Sequence, residues 1–266
     1  MQNPPVRAWF ALCLVPLLLA GCSTNPVTGR DQIVAIPAAQ AHAELGFALS
    51  NGPWRRSAAQ PCAQACRDED PLAKFTLQVA LASAELENAA RSLSPEAMNR
   101  IESFRVSVEP GLGVATGSSA SGRIALGSAI AQFEPTEDVI AFLIAREMAH
   151  VIARHDEEDS GARIFSSALT TFIPGFSLMV KFFASTLGGG ALMGSWAAEQ
   201  RREADEIAIA LLERAGRSAT AVAQSLASGM KQDKLPDGEW AKRYTESVTR
   251  VALLAELPPR YAEFGD

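Results

Sequence analysis

In the stretch Ala145-Arg-Glu-Met-Ala-His-Val-Ile-Ala-Arg-His155, a carboxylate and an imidazole stand three residues apart, and a second imidazole follows five residues later. On a helix, the pattern His-Glu-x-x-His places two imidazoles one turn apart on one face. There they bind Zn²⁺, and the Glu serves as general base toward a metal-activated water. Glu147 and His150 keep that register, but position 146 is Arg. A guanidinium has five donors and no acceptor and stays protonated in proteins, so it cannot ligate a cation. The segment has the pattern of a metal site and lacks its first ligand.

Little else in the chain could repair it. The histidines are His42, His150 and His155. On a continuous helix, His150 and His155 lie about 140° apart and would not converge on one ion. Without a metal-bound water, Glu147 has no nucleophile to activate. It is then expected to be a buried carboxylate salt-bridged to an arginine. So few histidines offer no Ser-His-Asp or Cys-His set. Glycines 188 to 190 precede no Lys-Ser/Thr pair, so they do not form a phosphate loop.

The elements that must position these groups can be read from periodicity and punctuation. A first amphipathic helix is expected from about Ala38 to Ser50, followed by loop from Asn51 to Asp70. Phe75, Val79, Ala82 and Leu86 have helical spacing within Leu72 to Leu93, and Ser94 with Pro95 and Glu96 opens a short helix. Phe104 to Val108 alternates with period two, and Gly122 to Leu126 is a β-prone run. Thr136 caps a helix expected to run to about His155, with Glu137 and Asp138 at its positive end. Residues 164–196 are strongly apolar but interrupted by Pro174, Gly175 and Lys181. They read as a buried or membrane-facing helical hairpin, with a transmembrane hairpin as the alternative. Glu199 to Ala215 reads as a helix stopped by Gly216, and helices over Ala219 to Lys231 and Glu239 to Leu257 close the chain.

The amino terminus reads as an address. Arg7 and the apolar run Ala8 to Leu19 have the proportions of a secretory signal, ending in Leu19-Ala20-Gly21-Cys22. This ending resembles a bacterial lipobox, which implies cleavage after residue 21 and acylation of Cys22; an ordinary signal with an incidental Cys is the alternative. Ser23 after the Cys is similar to an outer-membrane sorting signal. Residues 22–37 then read as a lipidated tether, and 38–266 as one domain. Loss of Arg7 with the signal would take the net charge from −6 to −7. That charge, without a Lys/Arg cluster, argues against nucleic acid as a partner. Cys62 and Cys66 could form a small-loop disulfide in an oxidising compartment, or remain two thiols.

Together these features resemble the zinc metallopeptidases of the HtpX and BepA type, peptidase family M forty-eight, and especially their periplasmic lipoproteins. The resemblance is carried by Cys22-Ser-Thr-Asn-Pro-Val-Thr-Gly-Arg30, by Gly122-Arg-Ile-Ala-Leu126 before Gly127, by Thr136 through His155, and by Glu203-Ala-Asp205 ahead of Ala215-Gly216. It covers about residues 22 to 216. It implies a mostly helical α+β fold, zincin-like, with a small sheet beside the Glu147 helix. It also implies a third zinc ligand four residues before Asp205, and position 201 is Arg. By resemblance His150 is the one retained ligand, Arg146 and Arg201 stand at the lost ones, Glu147 holds the general-base position and Asp205 supports the site. No zinc cofactor is expected. An arginine–carboxylate network would replace the metal, and His155 would be structural. The family's cleft-edge strand matches 122–126 and would pair with a protein or peptide by β-augmentation. The expected function is a catalytically inactive, metallopeptidase-like lipoprotein that binds protein or peptide at the cell envelope, facing the periplasm and held to the membrane through Cys22. The alternatives are an active zinc endopeptidase of envelope quality control with unorthodox ligands, and a pure scaffold that needs no cleft.

Overall fold

The computed structural model describes residues 22–25, 27–33, 41, 44, 70–160, 197–228 and 239–256. Residues 1–21, which read as a signal, Cys62 and Cys66, and the apolar stretch 164–196 lie outside the described residues. Among the described residues no helix is long and apolar enough to cross a membrane. The fold is mostly helical with a small mixed sheet, as the sequence led us to expect.

Helix α1 (Pro71–Leu93) starts where Asp70 accepts a hydrogen bond from the Leu72 amide, and Pro71 supplies a preset first turn. Its apolar stripe, Phe75, Val79, Ala82, Leu86 and Leu93, is buried. The short α2 (Pro95–Ile101) follows directly, although the Ser94 side chain makes no capping bond and its hydroxyl is buried without a partner. Helix α3 (Glu137–Ile152) is the axis of the domain. Thr136 caps it through Val139, acidic Glu137 and Asp138 sit at its positive end, and Val139 through Ala145 are all buried. A helix so enclosed needs apolar residues on every side, which explains why its sequence shows no clean polar face.

Helix α1 packs on one side of α3, and α5 (Ala219–Ser228) on another, with α6 (Glu239–Ala255) laid against α5. Helix α4, described from 197 to 214, meets α3 through the Arg146–Asp205 pair. Its end is a Schellman motif: Arg217 N–H bonds Leu212 O at 2.8 Å and Gly216 N–H bonds Glu213 O at 2.9 Å, with Gly216 at φ 82°. The turn delivers Arg217 to Glu85 of α1 (2.8 Å) and Asp138 of α3 (2.6 Å), joining three helices through one guanidinium.

The larger sheet has three strands. Strand β3 (Arg105–Glu109) runs parallel to β5 (Arg123–Gly127), and β4 (Thr116–Ser118) runs antiparallel to β5 on its other side. This corrects one expectation. The run 122–126 is the central strand, bonded on both flanks, so it cannot accept a peptide. The strand at the cleft edge is β4.

The segment expected to be a tether is also built differently. Strands β1 (Cys22–Thr24) and β2 (Asp31–Ile33) form an antiparallel hairpin with Cys22 opposite Ile33. The Asn25 side chain closes its turn by accepting from the Val27 amide, and Asn25 and Val27 are buried in the domain. Of the helix expected over 38–50, positions 41 and 44 are described and helical. Glu44 accepts from the Ser121 amide (2.7 Å) and from Arg123 (2.6 Å).

Candidate functional site

A cleft of about 580 Å³ lies between β4 on one side and Arg243, Tyr244 and Ser247 of α6 on the other. Its floor is made by Phe142, Leu143, Arg146, Glu147 and His150 of α3 and by Gln200 and Arg201 of α4, with Asp156 at the far end. The sequence-assigned Arg146, Glu147, His150 and Arg201 therefore all line one cleft.

Arg146, at the position where the resemblance would put a first ligand, is ion-paired. Its Nε donates to Asp205 Oδ1 at 2.9 Å, and Asp205 is fully buried. The second guanidinium on Asp205 is not Arg201 but Arg250 of α6, with Nε 2.6 Å from Oδ2. Ser247 adds a contact at 3.5 Å. So the arginine–carboxylate network exists with a different membership. Arg201 joins no ion pair among the described residues, and its buried Nε has no hydrogen-bond partner. An orphaned buried donor costs about 1–3 kcal/mol.

We expected Glu147 to be salt-bridged to an arginine; among the described residues it is not. It is buried and accepts from Thr116 Oγ1 at 2.5 Å, which ties β4 to α3.

The largest departure concerns the histidines. Helix α3 stops at Ile152, Arg154 takes a left-handed conformation (φ 59°), and the chain re-enters helix at 155. That break cancels the 140° separation of a continuous helix. His155 Nδ1 lies 2.8 Å from His150 Nδ1, with the rings edge to face. The break is held by Arg100, which donates to Val151 O at 2.7 Å, and both Arg100 and Arg154 pair with Glu157. A left-handed Arg costs about 1–2 kcal/mol, which these contacts offset.

Beyond His155 the chain of contacts continues to Glu203, whose Oε2 lies 2.9 Å from His155 Nε2. Glu203 also receives Asn25 Nδ2 at 2.8 Å, the Thr28 hydroxyl, and Arg30 Nε at 2.6 Å. The other edge of Arg30 grips Glu158 with both terminal nitrogens, at 2.9 and 2.7 Å. The hairpin residues Asn25, Thr28 and Arg30 were missed as site residues; their signal was the compact Asn-Pro-Val-Thr-Gly-Arg run itself.

Electrostatics follow from this layout. Burial would raise the Glu203 carboxyl, but the hydrogen bonds from His155 and Thr28 and the charges of His155 and Arg30 hold it below the ordinary range. A carboxylate only accepts, so His155 Nε2 carries a proton, and the Nδ1–Nδ1 contact needs one further proton between the rings. His150 is driven well below the usual imidazole range by burial, then by His155, Arg146 and Arg201.

Asp156 is pushed up to about 7 by burial, then by Glu147, Asp159, Glu44 and Glu157, and its Oδ2 has no partner among the described residues. Its folded pKa exceeds the unfolded value near 4. Its contribution to stability is therefore complete below pH 4 and lost as pH rises through 7. Relative to the parent, Asp156→Asn should remove that loss, on the order of a few kcal/mol by pH 8. Urea melts at pH 5 and pH 8 test this, and an unchanged pH dependence would refute it.

The residues do not fit a catalytic zinc ion. Such a site takes three protein donors and a water. The two guanidiniums supply none, and one imidazole remains, its Nδ1 engaged by His155. Among the described residues no group of three or more metal-ligating side chains converges.

A small mixed sheet edged by β4, over a buried helix bearing Glu-x-x-His, with an Ala-Asp pair on the next core helix, defines a metallopeptidase-like α+β domain. The model of Peptidase family M48 matches residues 114–257, more than half of the chain, and the chain belongs to that family. No curated protein matches it.

Proposed function

We propose that this family member is a non-catalytic, peptide-binding lipoprotein of the bacterial cell envelope, anchored through Cys22 and facing the periplasm. The observation that carries the reading is the guanidinium at the first ligand position, ion-paired to buried Asp205 where a metal donor would stand. The binding edge is β4. Ala115 O bonds Gly127 N and Ser119 N bonds Arg123 O, so by antiparallel alternation the backbone groups of Thr116 and Ser118 point away from β5. An extended peptide can pair there, as a short added strand.

The full-length protein, purified in detergent, should carry no stoichiometric zinc, and chelators should leave its melting temperature unchanged, since bound metal contributes to folding. One zinc per chain, or casein cleavage abolished both by a chelator and by Glu147→Gln, would overturn the reading in favour of an active endopeptidase. Cys22→Ser should move the protein from the membrane fraction to the soluble periplasmic fraction. Retention through carbonate washing would mean that the lipid is not the sole anchor.

A further inference from the structure

We propose that the cleft floor at Arg201 is a carboxylate-binding site, serving either the free C-terminus of an extended peptide or an acidic side chain within it. This rests on the peptide-binding reading and names the chemistry recognised beside β4.

The charged groups around the cleft sort into those with a partner and those without. Asp205 holds Arg146 and Arg250, Glu203 and Glu158 share Arg30, and Glu147 has Thr116. Arg201 lines the cleft; its Nε–H is buried without an acceptor among the described residues, and its terminal nitrogens, which are not buried, join no ion pair among them either. The two terminal nitrogens of a guanidinium form one flat edge, which matches the two oxygens of a carboxylate. The surroundings favour an anion, because Arg146 and Arg201 both act on His150 as positive charges. They also limit its charge. Glu147 and Asp156 line the same cleft, so a monoanion is accommodated and a phosphate dianion is repelled. The cleft volume suits a few residues of extended chain rather than a folded partner.

The test uses the full-length protein in detergent micelles, with ¹⁵N spectra of the arginine Nε–H groups. The Arg201 signal is assigned by its loss in Arg201→Gln. N-acetyl-alanine should shift it and N-acetyl-alaninamide should not. An Arg201 signal indifferent to N-acetyl-alanine overturns the proposal, whatever peptides do elsewhere on the protein. In parallel, an unstructured hexapeptide with a free C-terminus should bind about tenfold more tightly than its C-terminal amide. An amide carrying an internal Asp that recovers the difference identifies an acidic side chain as the source. Equal binding of all three peptides overturns the proposal and leaves the peptide-binding reading intact. A shifted Arg201 signal with no hexapeptide binding supports the carboxylate site and ends the reading of β4 as a docking edge. Should Arg201→Gln fail to fold, Arg201→Lys supplies the assignment. The surface variant Arg91→Gln, far from the cleft, serves as a control and should retain the full preference for the free acid.

Discussion

Glu203→Ala should cost on the order of 3–5 kcal/mol of stability, the loss expected when one member of a buried charge network is removed. Glu203 is almost wholly buried and accepts from Asn25, Thr28, Arg30 and His155. Its removal leaves Arg30 with Glu158 alone and leaves His155 without the acceptor that fixes its orientation. The hairpin should detach, so residues 22–33 should become sensitive to limited proteolysis before the rest of the domain unfolds. Glu203→Gln should do less harm, because the amide oxygen still accepts. The parent should also weaken in acid. The Glu203 pKa is depressed on folding, so its contribution is present above the ordinary carboxylate range and disappears as pH falls through the folded value. A midpoint in urea equivalent to less than about 1 kcal/mol of loss for Glu203→Ala would contradict the network as described.

The second large effect is a gain. Arg146→His with Arg201→Glu supplies two donors beside His150 and removes two guanidiniums from the same volume. The double variant should bind zinc far more tightly than either single one, a strongly non-additive cycle. The two single changes should differ in stability. Arg146→His deprives buried Asp205 of one of its two arginines and should destabilise by about 1–3 kcal/mol. Arg201→Glu exchanges an unpartnered guanidinium for a carboxylate near Arg146, and should be neutral or stabilising. The sequence alone suggests that both are harmful, because it cannot show that Arg250, not Arg201, completes the Asp205 pair. Calorimetry of zinc into the four proteins, with melts in the absence of metal, checks both points. No uptake by the double variant would mean that positions 146 and 201 do not face a common point.

What the sequence could tell depended on distance along the chain. Phe75, Val79, Ala82 and Leu86 mark the buried stripe of α1, Thr136 marks the start of α3, and Gly216 marks the end of α4, because each is a local signal with a local cause. Strand β4 was invisible. Thr-Gly-Ser has no alternation, and it becomes a strand by pairing with β5. The break after α3 carries neither Gly nor Pro; Arg154 is held left-handed there by partners such as Arg100, fifty residues upstream and beyond any window of periodicity. The same holds for Asp205 with Arg250 and for Glu203 with the hairpin. That Arg146, Glu147, His150 and Arg201 share one cleft could be read because they follow a spaced motif. The ion-pair partners of Asp205 and Glu203 could not, because nothing in their spacing records them.

The β1–β2 hairpin also sets a length. Asn25 is fastened to Glu203, and Cys22 is three residues away in an extended strand, so about 10 Å of chain separates a buried group of the domain from the residue proposed to carry the acyl chains. A leash of thirty loose residues would let the cleft sweep a wide hemisphere above the bilayer. With the lipid on Cys22 as proposed, a mount this short would hold it at one height and in a narrow range of tilts. Under the proposed function, the search for a bound segment would then fall to the segment, and only chains with a free stretch near the membrane surface would come within reach.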